Sequence, residues 1–409
     1  MNEPSTVADA QALAIALCEA GSIERVPLAD ALDRILREPL VAAADVPQAP
    51  TSMMDGYAVR AVDLHDRSDV GERTLRVVEE SAAGHPSRRA LKPGEAAPIA
   101  TGAIVPPGAD TIAPIEWCAP DGQHVVVRGT GVPGRFVRAP GSDLAAGELL
   151  ARAGERVDAA LTALFAAEGH TTVAVSPRPS IAILSTGAEL RAPGTPLPPG
   201  ELYDANGPAL AALVRKAGGI AKAAVVVGDE LAATKAAIDA ARGASMILVS
   251  GGVSVGEHDH VRPAILALGG EILLWRIAMK PGKPLVLARL GATPIVGLPG
   301  NPVSAQVGFM LFVRPMIRKL LGAAPVVDSP LVEVSLLAPL SLSTDRPTYL
   351  RARVHAREGK LVAAIIDRQR SAAIISLAQA NALVRIEPGE HELPAGAIVR
   401  AILVDALHA

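Results

Sequence analysis

The segment from Ile247 to Ser304 constrains the fold more than any other part of the chain. It holds three apolar runs joined to turns rich in glycine or proline: ILVSGGVSVGEHDHV, MKPGKPLVLARL and PIVGLPGNPVSAQVGFML. A parallel sheet presents side chains and free backbone amides at strand-to-turn junctions, and ligands of open α/β sheets bind just beyond them. Backbone N–H groups there, with a helix N-terminus behind them, suit an anion. The segment therefore predicts a site for a phosphorylated or oxyanionic ligand.

The composition allows large aliphatic cores and argues against nucleic-acid binding. Half of the 409 residues are hydrophobic, so a chain of this length fills several cores, in about two to four domains. Aromatic residues make up only 2%, too few for a platform that stacks the bases of single-stranded nucleic acid. The net charge of −3 gives no basic footprint either, so we expect no nucleic-acid partner.

Cysteine spacing and hydropathy predict a soluble cytoplasmic protein without a membrane partner. Cys18 and Cys118 lie far apart and lack the spacing of a zinc site, so both are expected to be reduced thiols. The N-terminus has no basic and apolar regions of the kind found in a signal peptide. The uncharged run from Leu290 to Val313 contains prolines and glycines, which indicate a strand, a turn and a helix start rather than a membrane span.

The apolar pattern changes along the chain and predicts four domains. Helical spacing over Val7–Glu19 and Leu28–Leu40 predicts N-terminal helices, which a mixed connector later rejoins. Short β-like segments with intervening proline and glycine predict a β-rich domain between them. From Ser180, apolar runs alternate with helices, which predicts a parallel α/β sheet; strand patterns then resume as a small β-barrel or sandwich. The predicted boundaries are 1–43 with 138–176, 44–137, 177–322 and 323–409.

Three acidic residues follow predicted strands of the same sheet. Glu189 lies in STGAEL, Asp229 follows the run Ala223–Val227, and Asp259 lies in SGGVSVGEHDH. Three carboxylates in one crevice are costly unless a cation is present, so the pattern predicts a magnesium site. The alternative is a glycine-rich loop in which Asp259 only caps the next helix.

Two turns carry groups that suit an anion. Lys280 and Lys283 in KPGKP place two positive charges on one stiff turn, although a hairpin with solvated lysines remains an alternative. LPGNPVS offers a helix start with Asn301 as N-cap and Pro302 at the first position, and can equally be a cap alone. Taken by themselves, SMMDGYAVR and PIATGAIVPPGAD read as loops of the β-rich domain.

Together, these motifs resemble the MoeA family of molybdopterin molybdenumtransferases, to which the gephyrin E domain and a plant homologue are related. The resemblance spans nearly the whole chain through MDGYA, ATGA with PPGAD, STGAEL, YDANG, SGGVSVGEHDH, KPGKP and LPGNPVS. It implies a multidomain α/β plus β fold. A doubly wound, MoaB/Mog-like domain binds the pterin, an elongated linker domain is split around an inserted β domain, and a β-barrel follows.

The resemblance also implies the reaction and the assembly. Molybdenum from molybdate is inserted into adenylylated molybdopterin, AMP is released, and Mg²⁺ is the metal. The family's homodimers build each cleft from the α/β domain of one subunit and the inserted domain of the other. A separate molybdopterin adenylyltransferase would be a further partner.

The implied site residues fall into three groups. The catalytic group contains Asp55, Thr101, Asp229, Asp259, Lys280 and Lys283, and the metal ligands are Glu189, Asp229 and Asp259. The residues around the pterin or its phosphates are Ser185, Thr186, Gly187, Asp204, Asn206, Ser250, Gly251, Gly252, Ser254, Gly256, Pro299, Gly300, Asn301 and Pro302. Two positions depart from the family: Ala188 stands where an aspartate is common, and Gly207 where a serine is frequent.

Two other functions stay open. A scaffold or binding module is one, because the related gephyrin domain organises receptor clusters through its dimeric surface. An adenylyltransferase is the other, because it shares the α/β domain type. The intact acidic and lysine positions argue against a scaffold, and the two additional β-rich regions favour the insertion step.

Overall fold

The computed structural model describes residues 5–64, 71–254, 256, 259–324 and 331–404. They divide into two compact units. The larger unit takes its residues from Met1–Glu38, Ala153–Thr162 and Thr171–Ala409, and the smaller from Pro39–Arg152 and Ala163–His170. The four-domain division drawn from the sequence is finer than this one and stays a prediction.

A seven-stranded central sheet organises the larger unit. Its middle strand Met246–Ser250 is buried at every residue, the continuous apolar pattern expected of a strand covered on both faces. The strand order is Ile220–Ala221, Ser180–Thr186, Met246–Ser250, Thr293–Leu298, Val286–Leu290 and Glu271–Trp275, with Val225–Val227 also paired to Ser180–Thr186.

Helices cover both faces of the central sheet. Along Ser180–Thr186, Ile181 and Ile183 join one core whereas Ala182 and Leu184 join another, as the two-residue period of a strand requires. The first core includes the helices Asn206–Lys216 and Pro302–Gly308, and the second includes Leu231–Ala240 and Val261–Ala267. The doubly wound α/β architecture predicted from the sequence is therefore confirmed.

The sheet is mixed rather than wholly parallel. Val286–Leu290 runs antiparallel to Thr293–Leu298, and Glu271–Trp275 runs antiparallel to Val286–Leu290. The KPGKP turn precedes Val286–Leu290 instead of following a parallel strand. Because Val286 pairs with Gly297, that turn still lies at the edge where the parallel strands end.

The C-terminal part of the larger unit is a closed barrel rather than a sandwich. Its strands, in barrel order, are Leu331–Leu336, Lys360–Ile365, Thr348–Arg357, Ala382–Ile386 and Ile398–Leu403. Leu340–Thr344 and Gly389–Leu393 form a separate two-stranded ribbon, and a short helix spans Ile374–Gln379.

The N-terminal segment packs on the α/β domain. The helix Val7–Ala16 begins where the Thr6 hydroxyl accepts a hydrogen bond from the Asp9 amide at 3.1 Å, and it buries Ala10 and Ala14 in the first core. Further along, Glu24–Pro27 pairs with Thr172–Val175.

The helix predicted over Leu28–Leu40 is wrong. Only a single 3₁₀ turn, Leu28–Asp30, forms, and Asp33 then adopts a φ of +62° that no α-helix allows. The Leu36 amide donates to the Glu155 carbonyl at 2.9 Å instead of to its own helix. Pairing with a distant segment therefore outweighs the helical spacing of apolar residues here.

The smaller unit is rich in β structure. Its main sheet has the strand order Thr111–Pro114, Gly56–Val59, Glu95–Ile99, Glu72–Val77, His124–Arg128 and Cys118–Asp121. Two short ladders pair Thr51–Ser52 with Val137–Arg138 and Leu40–Val41 with Leu149–Ala151. Apolar side chains fill two cores on this sheet.

The remaining short elements complete the described chain. They are the helices Ala159–Ala167 and Arg314–Leu320, the π-helical turn Phe309–Val313, the 3₁₀ turns Ala61–Leu64 and Ile115–Trp117, and the strand pair Leu190–Arg191 with Leu202–Tyr203. No helix in the described ranges is long and apolar enough to cross a membrane.

Candidate active site

The candidate site lies where three neighbouring parallel strands end. Ser185 pairs with Ser250 and Ser250 pairs with Leu298, so the three following loops start side by side. The Gly251 amide donates to the Leu298 carbonyl at 3.0 Å and joins two of those loops. The sequence predicted this convergence of loops, and the structure confirms it.

Gly251 and Gly252 allow their loop to pack against a neighbouring strand. Their φ angles are +93° and +63°, in the region that side chains disfavour. A Cβ atom on Gly251 would lie 2.4 Å from the Thr186 carbonyl oxygen, and one on Gly252 would lie 2.9 Å from Thr186 Oγ1. The sequence interpretation assigned these glycines to close approach of a ligand, but the nearest group is the protein itself.

Asn206 ties the loops together from the start of its helix. Its Nδ2 donates to Ser250 Oγ at 2.8 Å and to the Gly300 carbonyl at 2.7 Å, and Ser250 Oγ donates to the Pro299 carbonyl at 3.3 Å. Asn206 Oδ1 and Ser185 Oγ are buried and have no hydrogen-bond partner among the described residues. Buried polar atoms are normally paired, so these two are available to a bound polar group or to water.

Asp204 is buried and stabilises the same helix start. Its Oδ1 accepts hydrogen bonds from the amides of Asn206 at 3.0 Å and Gly207 at 2.9 Å. This carboxylate therefore satisfies backbone donors that a helix start leaves open. Asp204 is the charged member of the predicted pterin-binding residues, and its carboxylate already accepts two hydrogen bonds from the backbone of the protein.

Asp259 stabilises the glycine-rich loop rather than the helix behind it. Its Oδ2 accepts a hydrogen bond from the Gly256 amide at 2.6 Å, and the helix Val261–Ala267 has no side-chain cap. Asp259 is half-buried, while Ser254 and Gly256 are exposed. One oxygen of the Asp259 carboxylate is thus held in place by the backbone of its own loop.

The predicted three-carboxylate cluster does not form in the described part of the chain. Glu189 is exposed and Asp229 is half-buried, in loops that the hydrogen bond from the Gly187 amide to the Val227 carbonyl (3.2 Å) brings together. Within the described ranges, no group of three or more histidine, cysteine, aspartate or glutamate side chains could hold a metal ion. These separate loops supply carboxylates at one edge but no preformed cage.

The lysine turn is fixed by the C-terminal barrel. The Lys280 amide donates to the Pro347 carbonyl at 2.9 Å, and the Tyr349 amide donates to the Lys280 carbonyl at 2.8 Å. The Ile277 amide donates to the Lys283 carbonyl at 3.0 Å and closes the turn. Lys280 and Lys283 are both exposed, so their backbone is held while their ammonium groups reach solvent.

Asp55 and Thr101 meet in the smaller unit although 46 residues separate them. The Thr101 amide and hydroxyl donate to Asp55 Oδ1 at 2.7 and 2.9 Å. The backbone hydrogen bond, followed by the hydroxyl, lowers the pKa of Asp55 below its ordinary value, because both stabilise the charged form. Taken by themselves, these motifs are interpreted as loops of the β-rich domain, and that interpretation does not predict the contact between them.

Three family models match successive parts of the chain. The model described as the MoeA N-terminal region (domain I and II) matches residues 5–169. A probable molybdopterin binding domain matches residues 182–319, and the MoeA C-terminal region (domain IV) matches residues 333–404.

Similar proteins cover almost the whole chain. Molybdopterin molybdenumtransferase 2 of Mycobacterium tuberculosis is 38% identical over 379 residues, which is 91% of this chain and 92% of that protein. The molybdopterin molybdenumtransferase of Nostoc is 38% identical over 378 residues, or 91% and 87% of the two chains. This chain belongs to the MoeA family.

The fold agrees with that membership. The crystal structure of the molybdopterin biosynthesis MoeA protein from Pyrococcus horikoshii matches with a TM-score of 0.84 and 30% identity, over 99% of this chain and all (100%) of that one. As a MoeA family member, the chain is a transferase of molybdenum cofactor biosynthesis, as the sequence predicted.

The C-terminal barrel contributes a segment to this site that sequence reasoning missed. Arg351 is buried, and its guanidinium donates to Ser376 Oγ at 3.1 Å and to the carbonyls of Arg368 at 2.9 Å and Arg370 at 3.1 Å. Burial lowers the pKa of Arg351. The loop it holds reaches the start of the helix Pro302–Gly308, where the Val303 amide donates to the Ser371 carbonyl at 3.2 Å.

The two departures from the MoeA family pattern have different surroundings. Ala188 is exposed, so it removes a carboxylate from the loop surface without creating a packing defect. Gly207 is buried, and a Cβ atom there would lie 2.3 Å from Asp204 Oδ2 and 2.8 Å from the Ala224 side chain. The absence of a side chain at position 207 thus leaves room for the Asp204 carboxylate.

Proposed function

We propose that this chain is a molybdopterin molybdenumtransferase that inserts molybdenum from molybdate into adenylylated molybdopterin and releases AMP. The observation that carries the proposal is the loop cluster joined by Asn206, beside which the lysine turn lies. It offers buried, unpaired polar atoms and exposed cations at the ligand-binding edge of a doubly wound sheet.

Substrate binding divides between the two sides of the cluster. The loops after Ser185, Ser250 and Leu298 would hold the pterin and its phosphates, for which Ser185 Oγ and Asn206 Oδ1 are available partners. Lys280 and Lys283 would hold molybdate, because two ammonium groups on a fixed turn match a compact dianion. Positioning the oxyanion beside the pterin dithiolene turns an encounter of two molecules into a reaction of placed groups.

The donor set fits magnesium bound partly through the substrate. Glu189, Asp229 and Asp259 supply carboxylate oxygens, the ligands that Mg²⁺ prefers, but they do not form a three-ligand group. Magnesium commonly binds one or two carboxylates and completes its shell with phosphate oxygens and water. When bound, it would neutralise charge on the phosphates as the anhydride breaks. The Gly256 amide keeps the Asp259 carboxylate oriented for that role.

We infer that the active unit is a homodimer in which Asp55 and Thr101 complete the site of the neighbouring subunit. The two residues form a hydrogen-bonded pair, with one carboxylate, in a different unit from Asp259. The MoeA family's assembly supports this arrangement, and the cytoplasm is the expected compartment. A molybdopterin adenylyltransferase is the expected supplier of the substrate.

The reaction is tested by supplying adenylylated molybdopterin, molybdate and magnesium and measuring AMP and the metallated pterin. We expect Asp55→Ala and Asp259→Ala each to abolish turnover, and Asp121→Ala, at an exposed strand end of the smaller unit, to leave it unchanged. Product from ATP and free molybdopterin, but none from the adenylylated substrate, would favour the adenylyltransferase. Wild-type turnover in both alanine variants would contradict the site.

Mixed dimers test the shared site. When Asp55→Ala and Asp259→Ala subunits are combined at equal concentration, half of the dimers are mixed, and one site in each is intact. We therefore expect about one quarter of wild-type activity, since symmetric dimers form two equivalent sites. If both residues serve the same subunit, the mixture stays inactive. A light-scattering mass of a single chain would also refute the assembly.

A further inference from the structure

Trp275 connects the glycine-rich loop to the edge of the central sheet. Its indole Nε1 donates a hydrogen bond to the Val253 carbonyl at 3.1 Å. Val253 is itself buried, and a Cβ atom on Gly297 would lie 2.7 Å from its Cγ1, so the loop is pressed against the sheet at this point. Trp275 ends the strand Glu271–Trp275, which places the indole at the same edge as the candidate site.

Two arginines hold the indole ring in place. The guanidinium carbon of Arg262 lies 3.5 Å from the ring centroid, and that of Arg276 lies 4.2 Å from it. A guanidinium over an indole face is attracted by the ring, most strongly where water is partly excluded. Arg276 reaches the ring from a strained backbone with a φ of +77°. Strain of this kind persists only where the surroundings impose it.

The chain beyond Trp275 leads directly into the lysine turn. The Arg276 amide donates to the Leu285 carbonyl at 3.0 Å, and the Ile277 amide donates to the Lys283 carbonyl at 3.0 Å. The indole N–H therefore joins the loop that precedes Asp259 to the segment that carries Lys280 and Lys283.

We propose that Trp275 is a positioning residue for the transferase reaction, which sets the glycine-rich loop against the adenylylated pterin through its hydrogen bond to Val253. The inference rests on the proposed function. This hydrogen bond does not involve the reacting atoms. Its loss therefore leaves the side chains of the lysines and of the carboxylates unchanged. Its effect falls on binding of the pterin substrate, because the lysine turn keeps its hydrogen bonds to Pro347 and Tyr349.

The test removes one N–H group and keeps the ring. In a Trp117→Phe background, Trp275 is the only tryptophan and can be replaced by β-(3-benzothienyl)alanine, in which sulfur takes the place of the indole nitrogen. Trp275→Phe is the genetic counterpart, and Trp117→Phe alone is the matched control in the smaller unit. Thermal unfolding, the KM values of both substrates, kcat and amide hydrogen exchange of residues 251–256 are compared.

We expect the KM for adenylylated molybdopterin to rise about fivefold, the size of one neutral hydrogen bond. The KM for molybdate and kcat should stay at the control values, and loop amides should exchange faster without substrate. Unchanged exchange and unchanged KM in an active enzyme would overturn the inference. A folded wild-type enzyme without AMP release would instead refute the proposed function. Faster loop exchange without any shift in KM would reduce Trp275 to a purely structural role and so also overturn the inference.

Discussion

The carboxylate of Asp204 lies in the space that a side chain at Gly207 would need. Asp204 Oδ2 is 2.3 Å from the position of a Cβ atom there, while Oδ1 accepts the Gly207 amide at 2.9 Å. We expect Gly207→Ser to destabilise the chain by about 1–3 kcal/mol, the usual cost of overpacking. Denaturant unfolding measures this loss.

A control substitution separates the effect of close contact with Asp204 from the effect of introducing a serine. Gly243→Ser lies in the same domain, where a Cβ atom would meet nothing within 4 Å. It should change stability by no more than about 0.5 kcal/mol, as surface substitutions usually do. Equal stability of the two variants would show that Asp204 turns aside freely and that serine is tolerated at position 207.

Close packing of the glycine-rich loop gives a second prediction. Gly251→Ala would place a Cβ atom 2.4 Å from the Thr186 carbonyl oxygen at a φ of +93°, whereas Gly269→Ala has a φ of +78° and no atom within 4 Å. Gly269→Ala should cost about 1–2 kcal/mol from backbone strain. Gly251→Ala should cost about 1–3 kcal/mol more, and similar unfolding midpoints would contradict the clash.

The charge state of Asp55 depends on Thr101. Thr101→Val removes the hydroxyl donor and keeps the amide, which is the larger cause of the lowered pKa. The pKa of Asp55 should therefore rise part of the way to its ordinary value, whereas Thr101→Ser should leave it unchanged. NMR titration of the carboxyl carbon measures both.

The sign of the pH dependence follows from that lowered pKa. The interaction with Thr101 is fully present above the ordinary pKa of an aspartate and is lost as pH falls through the lower value in the folded protein. In Thr101→Val the loss should be smaller and should be complete at a higher pH, because the folded-state pKa of Asp55 lies closer to its ordinary value. An identical acid limb of the stability curve in both proteins would argue against the hydrogen bonds to Asp55.

Substitution of either lysine in the KPGKP turn should selectively weaken molybdate binding. Lys280→Gln and Lys283→Gln each remove one charged donor from a turn whose backbone is held elsewhere, and a charged hydrogen bond contributes about 1.5–3 kcal/mol. The KM for molybdate should rise about tenfold or more, with the KM for the pterin substrate unchanged. Lys235→Gln, on the exposed surface of Leu231–Ala240, is the control; a similar rise there would indicate a general charge effect.

The sequence predicted the elements that depend on local pattern. Buried runs such as Met246–Ser250 and the alternation of strand and helix were sufficient for the doubly wound sheet, because period and composition are local signals. Leu28–Leu40 failed because the Leu36 amide pairs with Glu155, more than a hundred residues away. No periodic pattern reports a partner at that distance.

The site residues likewise divide into those that the sequence predicted and those that only the folded structure shows. The motif positions at Ser185, Ser250 and Gly300 converge because they follow adjacent strands or belong to neighbouring loops. Arg351 escaped notice because it stands two residues from Arg353 in one strand, and only the folded barrel shows that the first is buried and the second exposed. The predicted carboxylate cluster does not form in the described part of the chain, where Glu189, Asp229 and Asp259 lie in separate loops.

The hydrogen bonds between the barrel and the Lys280 backbone determine what a shortened form of the protein would retain. A fragment ending before residue 331 would keep the central sheet and its second core, while the first core would lose Tyr349, Leu383 and Ile402. It would also lose the Pro347 carbonyl, which accepts a hydrogen bond from the Lys280 amide, and the Tyr349 amide, which donates to the Lys280 carbonyl. Such a fragment would have an incomplete first core and an unsupported lysine turn. The C-terminal module is in this sense a structural component of the site and not a separable appendage.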